Sequence, residues 1–211
     1  MNFSYDQTLL EEWNKRGQHE GLYAVFSTRW SNDECEELNK KQQQLLFEIL
    51  PNLLGKAVLD VGCGIGRLTK SLSEHGANVT GIDISDVMLQ KARQLVPGSN
   101  VNFIQASASK MPFADQSFDV ILAVFVLQHI LDDALFDQSL AEILRVLKQG
   151  GCIFIVDGIS NTNHRLQNSP TMRRTLQKYD ILKKRCNLVT SQKTLCVADD
   201  YTILLWQDTS F

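Results

Sequence analysis

The chain has 211 residues, 44% of them hydrophobic, with a formal net charge of −3 and five cysteines. This length allows one domain that buries its own core, and the widely spaced Cys35, Cys63, Cys152, Cys186 and Cys196 suggest neither a zinc site nor a disulfide framework. The mild negative charge disfavours a surface devoted to nucleic-acid phosphates, and no apolar run approaches the ~20 residues of a membrane span.

At the N-terminus, MNFSYDQTLLEEW lacks the basic start and apolar core of a signal peptide, so a cytoplasmic protein is expected. Ser4 and Gln7 form a capping-box pattern ahead of a helical stripe of Leu9, Leu10 and Trp13 that stops near Gly17. GLYAVFSTRW, residues 21–30, is dense in aromatics without a clean period and reads as a segment packed across a cleft. Tyr23, Arg29 and Trp30 are its lid candidates, two aromatic walls and one cation, with plain core packing as the alternative for each. Ser31 and Glu34 make a second capping box, after which Cys35, Leu38, Leu45 and Ile49 share one face of a helix that ends before Pro51. Residues 1–52 are thus expected to form a helical cap on a single domain spanning residues 53–211.

From Lys56 onward strands and helices alternate, which predicts a mostly parallel sheet covered on both faces. The expected strands are 57–61, 78–83, 101–106, 118–124 and 151–157. The helices between them lie near 67–75, 86–95 and 134–147, terminated by Gly76, Pro97-Gly98 and Gly150-Gly151. After Asp157 the chain turns polar, and Pro170 is expected to open a short helical segment. Two β-like runs, CNLVTSQKTLCV and YTILLW, then predict an antiparallel hairpin at the sheet edge.

VLDVGCGIGRLT, residues 58–69, reads as a buried strand entering a glycine turn and leaving as a helix, a cradle for a nucleotide-type ligand. A dinucleotide fingerprint would need a third glycine where Arg67 stands, and no Gly-Lys-Ser/Thr follows to make a P-loop. Asp83, in GIDIS at the end of the next strand, can accept hydrogen bonds from both hydroxyls of a ribose, although an Asp there can also be a helix cap.

Together, VLDVGCGIGRLT, GIDIS, MPFADQSFDVI and RVLKQGGCIFIVD resemble the class I S-adenosylmethionine-dependent methyltransferases of the small-molecule type, in that family's order and spacing. The resemblance covers about Leu53 to Asp157 and implies a Rossmann-like three-layer α/β/α sandwich with a seven-stranded sheet. It implies S-adenosyl-L-methionine as cofactor, with S-adenosyl-L-homocysteine as product. Asp60, Gly62, Cys63 and Gly64 would face the methionine part, and Gly66 would open the helix. Asp83 would hold the ribose, Ile84 and Met88 would flank adenine, and the carbonyls of Ala123 and Val124 would receive the ammonium group. The family's usual acidic residue after the third strand is replaced by Ser107, between Ala106 and Ala108, whose hydroxyl can accept from the adenine amine without charge assistance.

Methyl transfer from a sulfonium is an in-line displacement in which alignment and exclusion of water do most of the work. His129 in VLQHILDD, just past the fourth strand, is the candidate general base; its alternative is packing, or a bond to the helix start at Asp132 or Asp133. His19 and His164 fall in polar segments, and His75 suits a helix end. AVFVLQH stands where base and amide methylases carry Asn/Asp-Pro-Pro-Tyr, and no tight carboxylate cluster provides a magnesium site. A small-molecule acceptor methylated on oxygen, nitrogen or carbon is therefore expected. A cofactor-binding scaffold without turnover, an RNA methyltransferase and a nicotinamide oxidoreductase are the competing readings.

Overall fold

A computed structural model describes residues 7–26, 30–50, 52–167, 169–196 and 199–210, with only the backbone at 194–196 and 199–200. The first helices are α1 (Gln7–Arg16) and α2 (Asn32–Ile49). At the start of α2, Ser31 Oγ accepts from Glu34 N at 3.2 Å while Ser31 N donates to Glu34 at 2.7 Å, the expected reciprocal cap. The Ser4 cap, Arg29 and Pro51 lie outside the described residues.

The alternating region runs β1 (Ala57–Val61), α3 (Arg67–Glu74), β2 (Asn78–Asp83), α4 (Asp86–Leu95), β3 (Val101–Gln105), β4 (Phe118–Val124), α5 (Asp133–Val146) and β5 (Leu147–Asp157). A short pair, β6 (His164–Arg165) and β7 (Met172–Arg173), and a closing hairpin, β8 (Cys186–Cys196) and β9 (Asp199–Asp208), follow. The main sheet has seven strands in the order β3-β2-β1-β4-β5-β9-β8. β1 to β5 are mutually parallel, and β9 runs antiparallel to both neighbours, β5 and β8. The expected Rossmann-like sandwich with its antiparallel C-terminal hairpin is what the chain forms.

Side-chain alternation along the central strands builds the two outer layers. Leu59, Val61, Ile121, Ala123, Ile153 and Ile155 face one core with α5 residues Phe136, Leu140 and Ile143. Val58, Val120, Leu122, Phe154 and Val156 face the other, with Leu46 of α2 and Leu68 and Leu72 of α3. A third cluster joins Leu22, Ala24 and Phe26 to Cys35, Leu38, Ile65 and Met88, and so fastens the N-terminal segment to the domain.

Two local expectations are corrected. Gly150 and Gly151 do not end α5: the helix stops at Val146, and both glycines lie inside β5, beside a register shift between Phe118 and Val120 of β4. A glycine with positive φ serves a bulge as well as a helix end, and Gly150 has φ +69°. Pro170 does not open a helix either. It precedes β7, and the helical turns, of 3-10 type, begin only at Leu176 and run to Lys184.

Candidate active site

In open α/β sheets ligands bind beyond the carboxyl ends of the strands where the strand order reverses, which places a site next to β1 and β4. A cavity of about 1140 Å³, counting its mouth, lies there. Its floor is the turn between β1 and α3, one wall is the β2–α4 corner, and the opposite wall is the segment after β4.

The floor needs glycine for two reasons. Gly62 has φ +66°, and a Cβ on it would stand 2.4 Å from Val126 Cγ2; Gly64 has φ +54°, and its Cβ would stand 2.8 Å from Val25 Cγ1. Backbone conformation and close approach of neighbouring side chains both penalise any other residue. Two carboxylates brace the same turn. Thr69 of α3 donates to Asp60 Oδ2 at 2.6 Å, while Gly64 N and Ser85 N donate to Asp83 Oδ2 and Oδ1, each at 2.9 Å. Each Asp83 oxygen keeps a second lone pair for a ligand hydroxyl. Burial raises both carboxyls to about 6, against the lowering effect of these hydrogen bonds.

Of the residues singled out in the sequence, Asp60, Gly62, Cys63, Gly64, Asp83, Ile84, Met88, Ala106, Ser107, Ala108, Val124 and His129 all line this cavity. Gly66 does not line it; it is the N-cap residue of α3. Ala123 is fully buried in the ladder between Val61 and Ile155 and also stays out. Ser107 is engaged locally: its Oγ lies 2.9 Å from Ser109 Oγ and accepts from Ser109 N at 3.2 Å. Burial lifts the Cys63 thiol well above its ordinary range, which keeps it an inert wall.

Tyr23 and Trp30 pack against the N-terminal cluster and do not line the cavity. Leu9 and Trp13 of α1, with Val25, line it in their place. The Trp13 and His129 rings meet edge to face, centroids 4.9 Å apart at 74°. Sequence reasoning placed Trp13 on a helical stripe but not in the site, because its partner is distant in the chain.

His129 sits in a 3-10 turn, Leu127–His129, directly after β4. Its Nδ1 is 2.8 Å from the carbonyl oxygen of Pro170, not bonded to Asp132 or Asp133. A carbonyl only accepts, so Nδ1 carries the proton of the neutral ring and Nε2 carries the lone pair. Burial draws the ring's pKa down to about 4, which keeps it neutral near neutrality and makes it a weaker base than a free imidazole. Preceding it, Phe125 has φ +57° and packs edge-on against Tyr201 at 4.5 Å. A left-handed conformation in such a residue costs about 1–2 kcal/mol, a strain typical of sites where the chain must turn sharply.

The other histidines lie elsewhere. His75 Nδ1 contacts Ser71 O at 2.7 Å at the end of α3, as its position implied, and its ring stacks on Phe47. His19 and His164 are exposed. Among the described residues no group of His, Cys, Asp or Glu could hold a metal, and no helix is long and apolar enough to cross a membrane.

Residues 59–155 match the family model described as a methyltransferase domain. The chain is 46% identical over 101 residues to a demethylmenaquinone methyltransferase of Chlorobaculum parvum, covering 47% of this chain and 40% of that protein. It is 37% identical over 143 residues to a ubiquinone biosynthesis O-methyltransferase of Nitrosomonas europaea, covering 63% and 58% respectively. The chain thus spans about half the length of the curated relatives it matches. Among solved structures, the N-methyltransferase NodS of Bradyrhizobium japonicum, in complex with S-adenosyl-L-homocysteine, superposes with a TM-score of 0.77 over 96% of this chain and 99% of that one. At 16% identity that likeness is one of fold.

Proposed function

We propose that this chain, which carries a methyltransferase domain over residues 59–155, transfers a methyl group from S-adenosylmethionine to a small organic acceptor. The observation that carries the reading is that one cavity holds a braced glycine turn, a ribose-competent carboxylate and a neutral histidine whose Nε2 bears a lone pair. The residues fit the donor by chemistry. Asp83 offers lone pairs to a diol, Ile84 and Met88 offer apolar faces to a flat base, and Asp60 places negative charge beside the turn, where a cationic amino-acid end would lie. A pyrophosphate would find no third glycine at Arg67, whose guanidinium instead bonds Asn39 at 3.2 Å and lies over the Phe26 ring.

The donor, when bound, supplies an activated methyl group on a sulfonium. The protein's own part is to hold the acceptor, exclude water and take up a proton. Trp13, Leu9, Val25, Val126 and Ile130 make an apolar wall around the histidine, which suits a flat acceptor and keeps water out. His129 Nε2 takes the proton of an acceptor hydroxyl or amine as the nucleophile is used, and the Pro170 carbonyl holds Nδ1–H throughout. Residues 1–52 act as the cap of the site. Supporting this, Ser85 donates to Asn14 at 2.7 Å and Lys91 donates to the His19 carbonyl at 2.6 Å, which ties the segment to α4 beside Asp83.

Calorimetry with S-adenosylmethionine, S-adenosylhomocysteine and NADH tests the donor, and transfer of a labelled methyl group to an acceptor panel tests turnover. The expected result is binding of the first two and a labelled small product. Binding of NADH alone would overturn the reading, and binding of the donor without any labelled product would leave a scaffold in its place.

A further inference from the structure

We propose that Arg174 is a positioning residue that fixes the ring of His129 in its Nδ1–H tautomer, although it lies outside the cavity. The inference rests on the catalytic reading of His129 above for its effect on turnover, but not for its effect on the ring.

Arg174 is 1% exposed, a buried guanidinium whose hydrogen bonds go equally to backbone carbonyls and to the Asp133 carboxylate. Its Nη2 donates to Ile130 O at 2.6 Å and its Nη1 to Leu127 O at 3.4 Å, so it grips the turn on either side of His129. Nε and Nη2 also donate to Asp133 Oδ1 at 3.2 and 3.1 Å, at the first residue of α5. Its flat face lies 4.0 Å from the Phe136 ring centroid.

The backbone of Arg174 is fixed as firmly as its side chain. Arg174 N donates to Gly158 O at 3.3 Å, and Ser160 N donates to Arg174 O at 3.0 Å, which pins the residue to the chain leaving β5. Four residues earlier, Pro170 provides the carbonyl that receives His129 Nδ1–H. The turn bearing His129 and the segment bearing Pro170 come from separate parts of the chain, and their register must hold within the tolerance of one hydrogen bond. Arg174 belongs to the second segment and grips the first, so it is the tie that sets this register.

Energetics favour this role over simple packing. Burying a guanidinium is expensive, and a methionine of similar length would cover Phe136 without that cost. What methionine lacks is the fork of donors that can span two carbonyls and a carboxylate in one plane. Without the fork the His129 turn can shift relative to Pro170. The ring then exchanges its fixed carbonyl partner for others, and Nε2 no longer has a reserved lone pair.

The test uses the full chain labelled with 15N at the imidazoles, in the wild type, Arg174→Met and Arg174→Lys. Two-bond proton–nitrogen correlation spectra separate a protonated ring nitrogen from a bare one. The wild type is expected to show protonated Nδ1 and bare Nε2 at His129, and both variants a mixture. In methyl transfer, kcat of each variant is expected to fall by about 10- to 100-fold, the scale of a small misplacement of a reacting group, with the KM for S-adenosylmethionine unchanged. A wild-type His129 spectrum in both variants would overturn the proposal; a mixed spectrum with undiminished kcat would uphold the hold on the ring and overturn the catalytic reading of His129 instead. Should Arg174→Met not fold, Arg174→Lys, which keeps charge and stem but cannot bridge both carbonyls, decides the question alone. If the wild type transfers no methyl group, the enzymatic reading fails, and the spectra still decide what Arg174 does.

Discussion

Trp13 and His129 place their rings 4.9 Å apart at 74°, so a residue of the first helix forms one wall around the histidine beyond β4. An edge-to-face pair is worth about 0.5–1.5 kcal/mol beyond its buried area. Trp13→Ala is expected to raise the acceptor KM by about fivefold to tenfold and Trp13→Phe by less, with S-adenosylmethionine affinity nearly unchanged. Steady-state kinetics in both substrates check this, and equal losses for donor and acceptor would place Trp13 in general folding instead.

Asp83→Asn should weaken donor binding more than any wall substitution. One carboxylate oxygen becomes an NH₂ group facing the N–H of either Gly64 or Ser85, which leaves a donor against a donor. The cost of such a mismatch is about 1–3 kcal/mol, so the dissociation constant is expected to rise by about 10- to 100-fold. Calorimetry reads it directly; an unchanged constant would remove Asp83 from the ribose site.

Asp60 and Asp83 titrate at about 6 because burial disfavours their charged forms. Raised carboxyl values mean that the folded, ligand-free chain holds these protons more tightly than the unfolded one. Their contribution to stability is therefore present at low pH and is lost as pH rises through 6. Donor binding has the opposite dependence, since ligand hydroxyls and a cationic ligand favour the carboxylates. Affinity should fall as pH drops below 6, and binding at pH 6 should release protons, which calorimetry in two buffers of different ionisation enthalpy measures. His129, drawn down to about 4, stays neutral throughout this window, so an acid limb near 6 belongs to donor binding and not to kcat.

Gly62→Ala should cripple the turn twice over, through its φ of +66° and through a Cβ placed 2.4 Å from Val126 Cγ2. Val126→Gly, which removes both the Cγ2 and the Cβ that stands 2.7 Å away, takes out the second cause and not the first. A double variant is expected to recover part of the loss in melting temperature and donor affinity, and the remainder, about 1–2 kcal/mol, measures the left-handed strain alone. Full recovery would show that crowding by Val126 is the whole reason for the glycine.

The central strands β1 and β4 were legible as apolar runs, AVLDV and FDVILAV, and β1, β2 and β4 begin and end where the sequence pattern put them. Asp60, Asp83 and the turn glycines were legible because strand ends of parallel sheets converge on one edge. The walls from α1 were not. Trp13 continues the apolar stripe of a short helix, and nothing local distinguishes a side chain that faces a core from one that faces a cavity. Arg174 gave no signal, because beside Arg173 a buried guanidinium gripping carbonyls leaves no periodic mark that sets it apart from a solvated one. The left-handed Phe125 had no signal either, as glycine or asparagine normally announces that conformation.

Ser85 has two duties that meet at a single oxygen. Its hydroxyl accepts from Met88 N to cap α4 and donates to Asn14 Oδ1 in the first helix. If α1 lifts, the hydroxyl is free to turn away, and the first turn of α4 frays along with it. Amide exchange at Met88 and Leu89 should therefore keep time with the opening of the N-terminal segment, giving a clock for ligand entry from atoms that touch no ligand.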